Sequence, residues 1–238
     1  MNKLEKKYYA VILAGGTGSR FGGEMPKQFI DLGGKPIIVH TIEKFLCFSE
    51  FIEILICVPE AWCSYTEDLI AKAKLLLPHV KVISGGSERN LTILNSIEYI
   101  ANKQEDLTKV VVVTHDAVRP FISYDIIKNN IIHARDNPVV DTVVPATDTI
   151  VHSVDGEYID SVPKRSELYQ GQTPQSFNAA LFKEYISVNK NLELSDAVGL
   201  FTHNGQKAKI VMGDYSNIKV TTKFDLVVAK ALVNQVSH

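Results

Sequence analysis

The stretch YYAVILAGGTGSR, residues 8–20, decides the fold. Residues 8–13 form a short run of apolar and aromatic side chains, typical of a buried strand, and Gly15, Gly16 and Gly18 follow it at once. Glycines after a strand let backbone N–H groups approach phosphate oxygens closely, because no Cβ intervenes. Taken alone, the same pattern is also typical of a simple tight turn.

The chain beyond this loop alternates strand-like and helix-like segments. Such alternation predicts an α/β fold with a mostly parallel sheet covered by helices, because parallel neighbours need a crossover connection. Ligands then bind at the carboxyl ends of the strands. The predicted strands are 8–13, 52–58, 80–84, 110–114 and 142–145, and the predicted helices are 37–48, 65–77, 91–100 and 125–135. Ser64 followed by Glu67 predicts a capping box for the second helix.

Residues 148–170 break this pattern. They form short alternating segments around Asp155-Gly156, a turn signal with little apolar sequence on either side. This pattern predicts a protruding β arm. Helical and strand-like segments return at 181–188, 196–202, 208–212 and 225–236, so we expect a single domain over residues 1–238 with the arm as its one excursion.

Composition excludes several classes of protein. The 238 residues are 45% hydrophobic and 22% charged, with a formal net charge of -2, which is typical of a globular protein and gives no basic surface for nucleic acid. The three cysteines lack a CxxC pair, so neither a disulfide framework nor a zinc site is predicted. The apolar run near the amino terminus is too short for a signal peptide or a membrane span, so we expect a cytoplasmic protein without membrane partners.

The glycine loop does not fit the two commonest nucleotide-binding patterns. The spacing fails the dinucleotide frame G-x-G-x-x-G, and Gly23 is followed by Glu24 where a Walker loop needs lysine. Two cations, Arg20 and Lys27, follow the loop instead. Such cations suit negative charge that develops on a transferring phosphorus and a departing pyrophosphate, although each alone could be a solvated surface cation.

A second signal lies at the end of the predicted strand 110–114. Asp116 comes just past four consecutive valines, where the fold class places ligands. A carboxylate at that position suits Mg²⁺, which prefers hard oxygen ligands and keeps phosphate oxygens and waters in its shell. The alternative is a turn or helix-capping aspartate, and His115 is predicted to be structural.

A third signal is GGSERNLT, residues 85–92, whose small residues open a predicted helix and suit a planar base lying against the backbone. The same string also makes an ordinary loop and cap. Lys219 lies in NIKVTT, residues 217–222, and is uninformative by itself.

Taken together, five segments resemble the cytidylyltransferases that activate polyol phosphates. They are LAGGTGSRFGGEMPKQF (13–29), GGSERNLT (85–92), THDAVRPF (114–121), KRSELYQGQTPQSF (164–177) and NIKVTT (217–222). The resemblance implies a Rossmann-like nucleotide-diphospho-sugar transferase fold and a homodimer that exchanges its arms. It also implies CTP and a polyol phosphate as substrates and Mg²⁺ as cofactor.

Two branches of this superfamily differ in their acceptor. Residues 35–38, 66–70, 148–151 and 169–175 resemble the ribitol-5-phosphate branch, so the expected acceptor is D-ribitol 5-phosphate. The alternative is 2-C-methyl-D-erythritol 4-phosphate, in whose branch an aspartate commonly stands at the position of Ser87. Residues 194–198 depart from the ribitol pattern. A non-catalytic nucleotide-binding protein is the alternative of a different class, and the catalytic cations argue against it.

The resemblance also assigns roles to single residues. Arg20 and Lys27 are expected to stabilise the transition state, Asp116 to hold Mg²⁺, and Lys219 to position the attacking phosphate. Arg165 and Thr149 are expected to hold the acceptor phosphate from the partner subunit. The remaining residues expected to bind substrate are Leu13, Ala14, Gly15, Gly16, Thr17, Gly18, Gly86, Ser87, Glu88, Arg89, Asn90, Leu91, Thr92 and Ala117.

Overall fold

The computed structural model describes residues 6–16, 25–189 and 196–236. Within those ranges seven strands form one sheet: β1 Lys7–Leu13, β2 Phe51–Val58, β3 Val80–Ser84, β4 Val110–Asp116, β5 Val139–Pro145, β6 Tyr169–Asn178 and β7 Lys209–Met212. Their order across the sheet is β3-β2-β1-β4-β6-β5-β7. The helices are α1 Ile37–Phe45, α2 Cys63–Lys72, α3 Arg89–Ala101, α4 Tyr124–His133, α5 Ala179–Val188, α6 Ala197–His203 and α7 Lys223–Val236.

Six of these strands run in one direction, which confirms the predicted α/β fold with a mostly parallel sheet. The exception is β6, which is antiparallel to both of its neighbours, β4 and β5. No strand was predicted at 171–178, because this segment is rich in glutamine, threonine and serine and contains Pro174. Hydrogen bonds from its polar side chains, described below, stabilise it within the sheet.

The sheet is covered on both faces, as the continuous apolar sequence of β1 indicates. Ala10 and Ile12 pack on one face in a cluster that includes residues of α1, α2 and α4. Tyr9 and Val11 pack on the other face with residues of α3, α5 and α6. All four side chains are fully buried, so β1 is the centre of the core and holds the glycine loop that follows it.

The arm occupies the connection between β5 and β6. Its residues are almost all exposed, and one antiparallel bridge joins His152 to Ser161. The turn at its tip contains Gly156 with a φ of 77°, and the Asp155 carboxylate accepts the backbone N–H of Glu157 and of Tyr158. A protruding hairpin-like arm is therefore present within the predicted boundaries.

The predicted bounds of α2 were wrong at both ends, and α1 ends at Phe45 rather than at residue 48. The capping box at Ser64 is absent, because α2 already begins at Cys63, directly after a 3-10 turn over Glu60–Trp62 that follows Pro59. The same helix ends at Lys72 rather than at residue 77, because Lys74 adopts a φ of 60°, which is not helical. None of the helices in the described part of the chain is long and apolar enough to cross a membrane.

Candidate active site

A cavity of about 300 Å³ opens at the carboxyl ends of β1, β3 and β4. The parallel register aligns Leu13 at the end of β1 with Asp116 at the end of β4, so the two predicted signals meet at one edge of the sheet. The cavity is lined by Leu13, Ala14, Gly15, Gly16, Lys27, Gln28, Gly86, Ser87, Glu88, Arg89, Thr92, Asp116, Val118, Lys219 and Thr221.

The glycine loop is anchored on both sides of Ala14. Its backbone N–H donates to the Cys57 carbonyl at 2.8 Å, and its carbonyl accepts the buried Gln28 Nε2 at 2.7 Å. Gln28 belongs to a 3-10 turn over Lys27–Phe29. The turn therefore fixes the start of the glycine loop and places Lys27 beside Gly16, to which its Cε lies close.

An aromatic cluster supports this turn from behind. The ring centroid of Phe29 lies 5.2 Å from that of Trp62 and 5.0 Å from that of Tyr65. Phe29 is buried, and the other two rings come from the start of α2 and the turn before it. Phe29, two residues after Lys27, is thus packed against the start of α2, and this contact holds the short segment that carries Lys27.

The start of α3 forms a second wall of the cavity. A Cβ on Gly86 would lie 2.6 Å from the Leu91 Cβ and 2.9 Å from the Thr92 backbone nitrogen, so only glycine fits there. The Thr92 hydroxyl accepts the Gly86 N–H at 3.0 Å and donates to the Glu88 carbonyl at 2.9 Å. Residues 86–88 are therefore held against the amino terminus of α3, whose positive dipole end favours an anionic ligand.

The Asp116 carboxylate forms ion pairs with three cationic side chains. Its Oδ1 accepts Arg89 Nη1 at 2.5 Å, and its Oδ2 lies 3.0 Å from Lys219 Nζ and 3.3 Å from Arg119 Nε. Burial by itself would raise the pKa of this carboxyl, but Arg89, Lys219 and Arg119 outweigh burial and hold the pKa well below its usual range. Asp116 is therefore ionised at neutral pH.

A buried relay fixes the backbone around Asp116. The Asp116 N–H donates to Thr173 Oγ1 at 3.2 Å, the Thr173 hydroxyl donates to His115 Nδ1 at 2.9 Å, and His115 Nε2 donates to the Arg119 carbonyl at 3.1 Å. Burial lowers the pKa of His115 to about 4, so the ring is neutral, and the relay assigns its proton to Nε2. His115 is structural, as predicted.

A second polar layer lies behind Arg89. The Gln175 amide oxygen is 3.5 Å from Arg89 Nη2, and its Nε2 donates to Asp141 at 3.0 Å and to Asp196 at 3.4 Å. Burial and the nearby Asp196 raise the pKa of Asp141 to about 6. This layer explains how a polar strand, β6, is stable in the interior of the sheet, between β4 and β5.

Most of the residues expected at the site line the cavity. Asn90, Leu91 and Ala117 do not, and Ala117 is fully buried with its carbonyl accepting the Thr41 hydroxyl. Thr149 and Arg165 are exposed on the arm, away from the cavity wall of their own chain. Thr17, Gly18 and Arg20 lie outside the described residues, so their roles stay predictions.

Three polar residues of the site were not singled out from the sequence. Gln28 anchors the glycine loop, Arg119 binds Asp116 and Thr221 lines the cavity. All three lie within the quoted segments 13–29, 114–121 and 217–222, so the sequence indicated their positions but not their contacts.

The geometry suits a nucleoside triphosphate. Glycine-rich backbone and a helix amino terminus are combined with Lys27, Arg89 and Lys219, which can neutralise phosphate charge, and with Asp116, which can hold a hard metal ion. Within the residues that the structure describes, no group of three or more metal-binding side chains occurs. The single carboxylate of Asp116 is sufficient for Mg²⁺, because this ion commonly takes one or two carboxylates and completes its shell with phosphate oxygens and water.

Comparisons with known proteins agree with this geometry. Residues 8–235 match the family model described as IspD, 2-C-methyl-D-erythritol 4-phosphate cytidylyltransferase. The structure is similar to 4-diphosphocytidyl-2C-methyl-D-erythritol synthase from Anaerococcus prevotii, with 28% identity, 96% of each chain covered and a TM-score of 0.82.

Two further solved structures are similar. For 2-C-methyl-D-erythritol 4-phosphate cytidylyltransferase from Thermus thermophilus, the identity is 25%, the coverage 96% of this chain and 99% of that one, and the TM-score 0.72. The corresponding Francisella tularensis protein shares the fold at 24% identity, with 95% and 99% of the chains covered and a TM-score of 0.77. The chain therefore belongs to the IspD family and is a CTP-dependent cytidylyltransferase.

Proposed function

We propose that this enzyme transfers the cytidylyl group of CTP to a polyol phosphate and releases pyrophosphate. An oxygen of the acceptor phosphate attacks the α-phosphorus of CTP in line with the leaving pyrophosphate. The observation that carries the proposal is the cavity in which the glycine loop and the start of α3 meet Asp116 and the cations Lys27, Arg89 and Lys219. The same site holds a triphosphate and places a second phosphate beside it.

The chain's own groups bring two polyanions together. The attacking oxygen is already anionic, so no general base is needed, and the work is orientation and charge neutralisation. Lys27 lies beside the glycine loop, where pyrophosphate charge develops, and Lys219 lies across the cavity at Asp116. Arg20 is proposed to act with Lys27, on the strength of the sequence alone.

Asp116 is the residue proposed to hold Mg²⁺. Its carboxylate is ionised and lies on the cavity wall at the end of β4. When bound, Mg²⁺ supplies charge neutralisation to the triphosphate oxygens. Arg89 and Lys219, which pair with Asp116 and line the cavity, would be free to neutralise the phosphates if Mg²⁺ took their place at the carboxylate.

Two acceptors are candidates, and different observations favour them. The family model and the similar structures carry the name of 2-C-methyl-D-erythritol 4-phosphate, so the comparisons favour this acceptor over D-ribitol 5-phosphate. Residues 35–38, 66–70, 148–151 and 169–175 favour D-ribitol 5-phosphate, as does Ser87, where the other branch commonly has aspartate. The nucleophile is a phosphate oxygen in both cases, so the proposed chemistry does not depend on the choice.

A pyrophosphate-release assay separates the two acceptors. Purified protein with Mg²⁺ and CTP is offered each polyol phosphate in turn, and the product is identified by mass spectrometry as CDP-ribitol or CDP-methylerythritol. The true acceptor is expected to give the higher kcat/KM by two orders of magnitude or so, because groups placed for one set of hydroxyls are left unpaired by the other. If neither acceptor supports the release of pyrophosphate, the proposed function is refuted.

We further propose that the enzyme is a homodimer in which the arm completes the partner's site. Val154 and Tyr158 on the arm are 82% and 74% exposed, and a two-stranded arm of this kind is too small to be stable without a docking surface. Arg165 donates only to the Thr147 carbonyl within its own arm, at 3.2 Å, among the hydrogen bonds of the described residues. Its forked guanidinium is suited to a phosphate contributed from the other subunit.

Subunit mixing tests this arrangement. Arg165→Ala and Lys27→Ala proteins, each nearly inactive alone, are mixed so that heterodimers carry both lesions in one site and none in the other. If half of the dimers are mixed, roughly a quarter of the parental activity should return. A tagged-subunit pull-down shows whether exchange has occurred, and exchange without recovery would mean that Arg165 does not act in trans.

A further inference from the structure

The loop that carries Lys219 is held in place by a buried asparagine. Residues 213–222 connect β7 to α7, and Lys219 extends from this loop to Asp116. The Lys219 side chain is 42% exposed, so its own packing does little to fix its position. The backbone that carries it must therefore be fixed by other groups.

Asn217 makes the contacts that do this. Its side chain is fully buried, and Nδ2 donates to the Gln172 Oε1 at 3.1 Å and to the Thr173 carbonyl at 2.9 Å. Its backbone carbonyl accepts Arg119 Nη1 at 2.8 Å. A single residue thus joins the loop to β6 through its side chain and, through its backbone, to the arginine that also contacts Asp116.

The orientation of the Gln172 amide is fixed by the same network. Its Nε2 donates to the Asp214 carbonyl at 2.9 Å while its Oε1 faces Asn217. Turning the amide over would place its oxygen against the Asp214 carbonyl and its NH₂ group against that of Asn217. A Cβ on Gly213 would lie 2.4 Å from Gln172 Oε1, so this glycine leaves the space that the amide occupies.

We propose that Asn217 is a positioning residue for Lys219, and that it sets the lysine against Asp116 and thereby against the attacking phosphate. The proposal rests on the proposed function, which gives Lys219 that role. Asn217 and Lys219 are two residues apart, so a shift of the Asn217 backbone passes to Lys219 over at most about 7 Å of chain. A misplacement of about 1 Å at a reacting group can cost on the order of a hundredfold in rate.

The test is a double-mutant cycle on steady-state kinetics. Asn217→Ala is expected to lower kcat by about tenfold or more and to change the KM for CTP by less than about twofold. In a Lys219→Ala background the same substitution should lower kcat no further, because the residue through which it acts is already gone. A merely structural role would lower kcat by the same factor in both backgrounds, and that result would overturn the proposal.

Two companion variants complete the test. Asn178→Ala is the matched control, because Asn178 is also an amide that binds backbone, at the other end of the sheet, where it caps α5 and donates to the Thr108 carbonyl. It should lower thermal stability and leave kcat unchanged. A large loss of kcat in this control would mean that any destabilisation mimics the effect of Asn217 and would overturn the proposal.

Gln172→Met serves if Asn217→Ala does not fold. It removes the acceptor for Asn217 Nδ2 and leaves Asn217 itself, so a smaller fall in kcat is expected, again absent in the Lys219→Ala background. Full kcat in Gln172→Met with an intact Lys219 would count against the proposal. A Lys219→Ala enzyme with parental turnover would overturn both this proposal and the role of Lys219 in the proposed function, whereas the additive result overturns this proposal alone.

Discussion

Replacing Asp116 by asparagine should both destabilise the protein and remove its response to Mg²⁺. The substitution keeps the shape of the side chain and removes its charge. Arg89, Arg119 and Lys219 then face one another without the carboxylate that pairs them. The effect on folding and the effect on turnover have the same cause and can be measured separately.

The size of the folding effect follows from the exposure of each partner. Removing one member of a buried ion pair costs about 3–5 kcal/mol. The side chains of Asp116 and Arg119 are 7% and 11% exposed, but Lys219 is 42% exposed and regains water when released. We therefore expect the free energy of unfolding to fall by about 3 kcal/mol, the lower end of this range. For a chain of 238 residues this corresponds to a fall in Tm of roughly 6–12 °C.

Thermal unfolding and pyrophosphate release over a series of Mg²⁺ concentrations measure the two effects. With CTP and the acceptor at saturation, Asp116→Asn should turn over on the order of a hundredfold more slowly, and added Mg²⁺ should not restore it. Pyrophosphate without metal should bind more tightly to the variant than to the parent, because Arg89 and Lys219 line the cavity and have lost the carboxylate that pairs with them. Isothermal titration calorimetry measures the difference in pyrophosphate affinity between the two proteins.

Asp106→Asn is the control for a change of charge alone. Asp106 pairs with Lys109 at 3.3 Å on the surface, where ion pairs contribute little to stability. It precedes the 3-10 turn Leu107–Lys109 that leads into β4, and it is not among the residues that line the cavity. It should retain its Tm and its turnover. Parental stability and an unchanged Mg²⁺ response in Asp116→Asn would refute the reasoning.

Three further outcomes are expected. Lys27→Ala should lower kcat on the order of a hundredfold and weaken CTP binding much less, since Lys27 is proposed to act where charge develops; a rise in KM alone, seen in steady-state kinetics, would make it a ground-state contact. CTP should be strongly preferred over UTP: residues 85–87 are expected from the sequence to meet the base edge, and a backbone acceptor there would face the uracil oxygen; equal kcat/KM values would contradict this. Asp141→Asn should raise Tm at about pH 7.5, with the gain disappearing near pH 4. The folded pKa of Asp141 is raised to about 6, so its ionisation lowers the free energy of unfolding as pH rises through that range, and the same Tm difference at both pH values would contradict the assignment.

The sequence predicted the part of the site that lies at the ends of apolar strands. Four valines preceding Asp116 and the apolar run preceding Ala14 indicate buried strands, and buried parallel strands end at one edge. The register of β1 with β4 then brings these residues together without further information. Local composition was sufficient there because the strands are continuous and apolar.

The polar half of the site could not be predicted in the same way. Gln172, Thr173 and Gln175 occupy a strand whose composition resembles a loop, and β6 is stable because their side chains have buried partners. Those partners are distant in sequence: Arg119 and Asn217 are 98 residues apart. A single asparagine or arginine in a sequence gives no sign of the residue that it will contact in the fold.

The position of Trp62 gives the enzyme a built-in optical probe. It is the chain's one tryptophan, and its ring lies 5.2 Å from that of Phe29, two residues after Lys27. If nucleotide binds at Lys27 and the glycine loop, as proposed, it contacts the segment that holds Phe29, and the environment of the indole should change with occupancy. Its fluorescence can therefore follow CTP binding in stopped flow without a label and separate nucleotide capture from cytidylyl transfer within a single turnover.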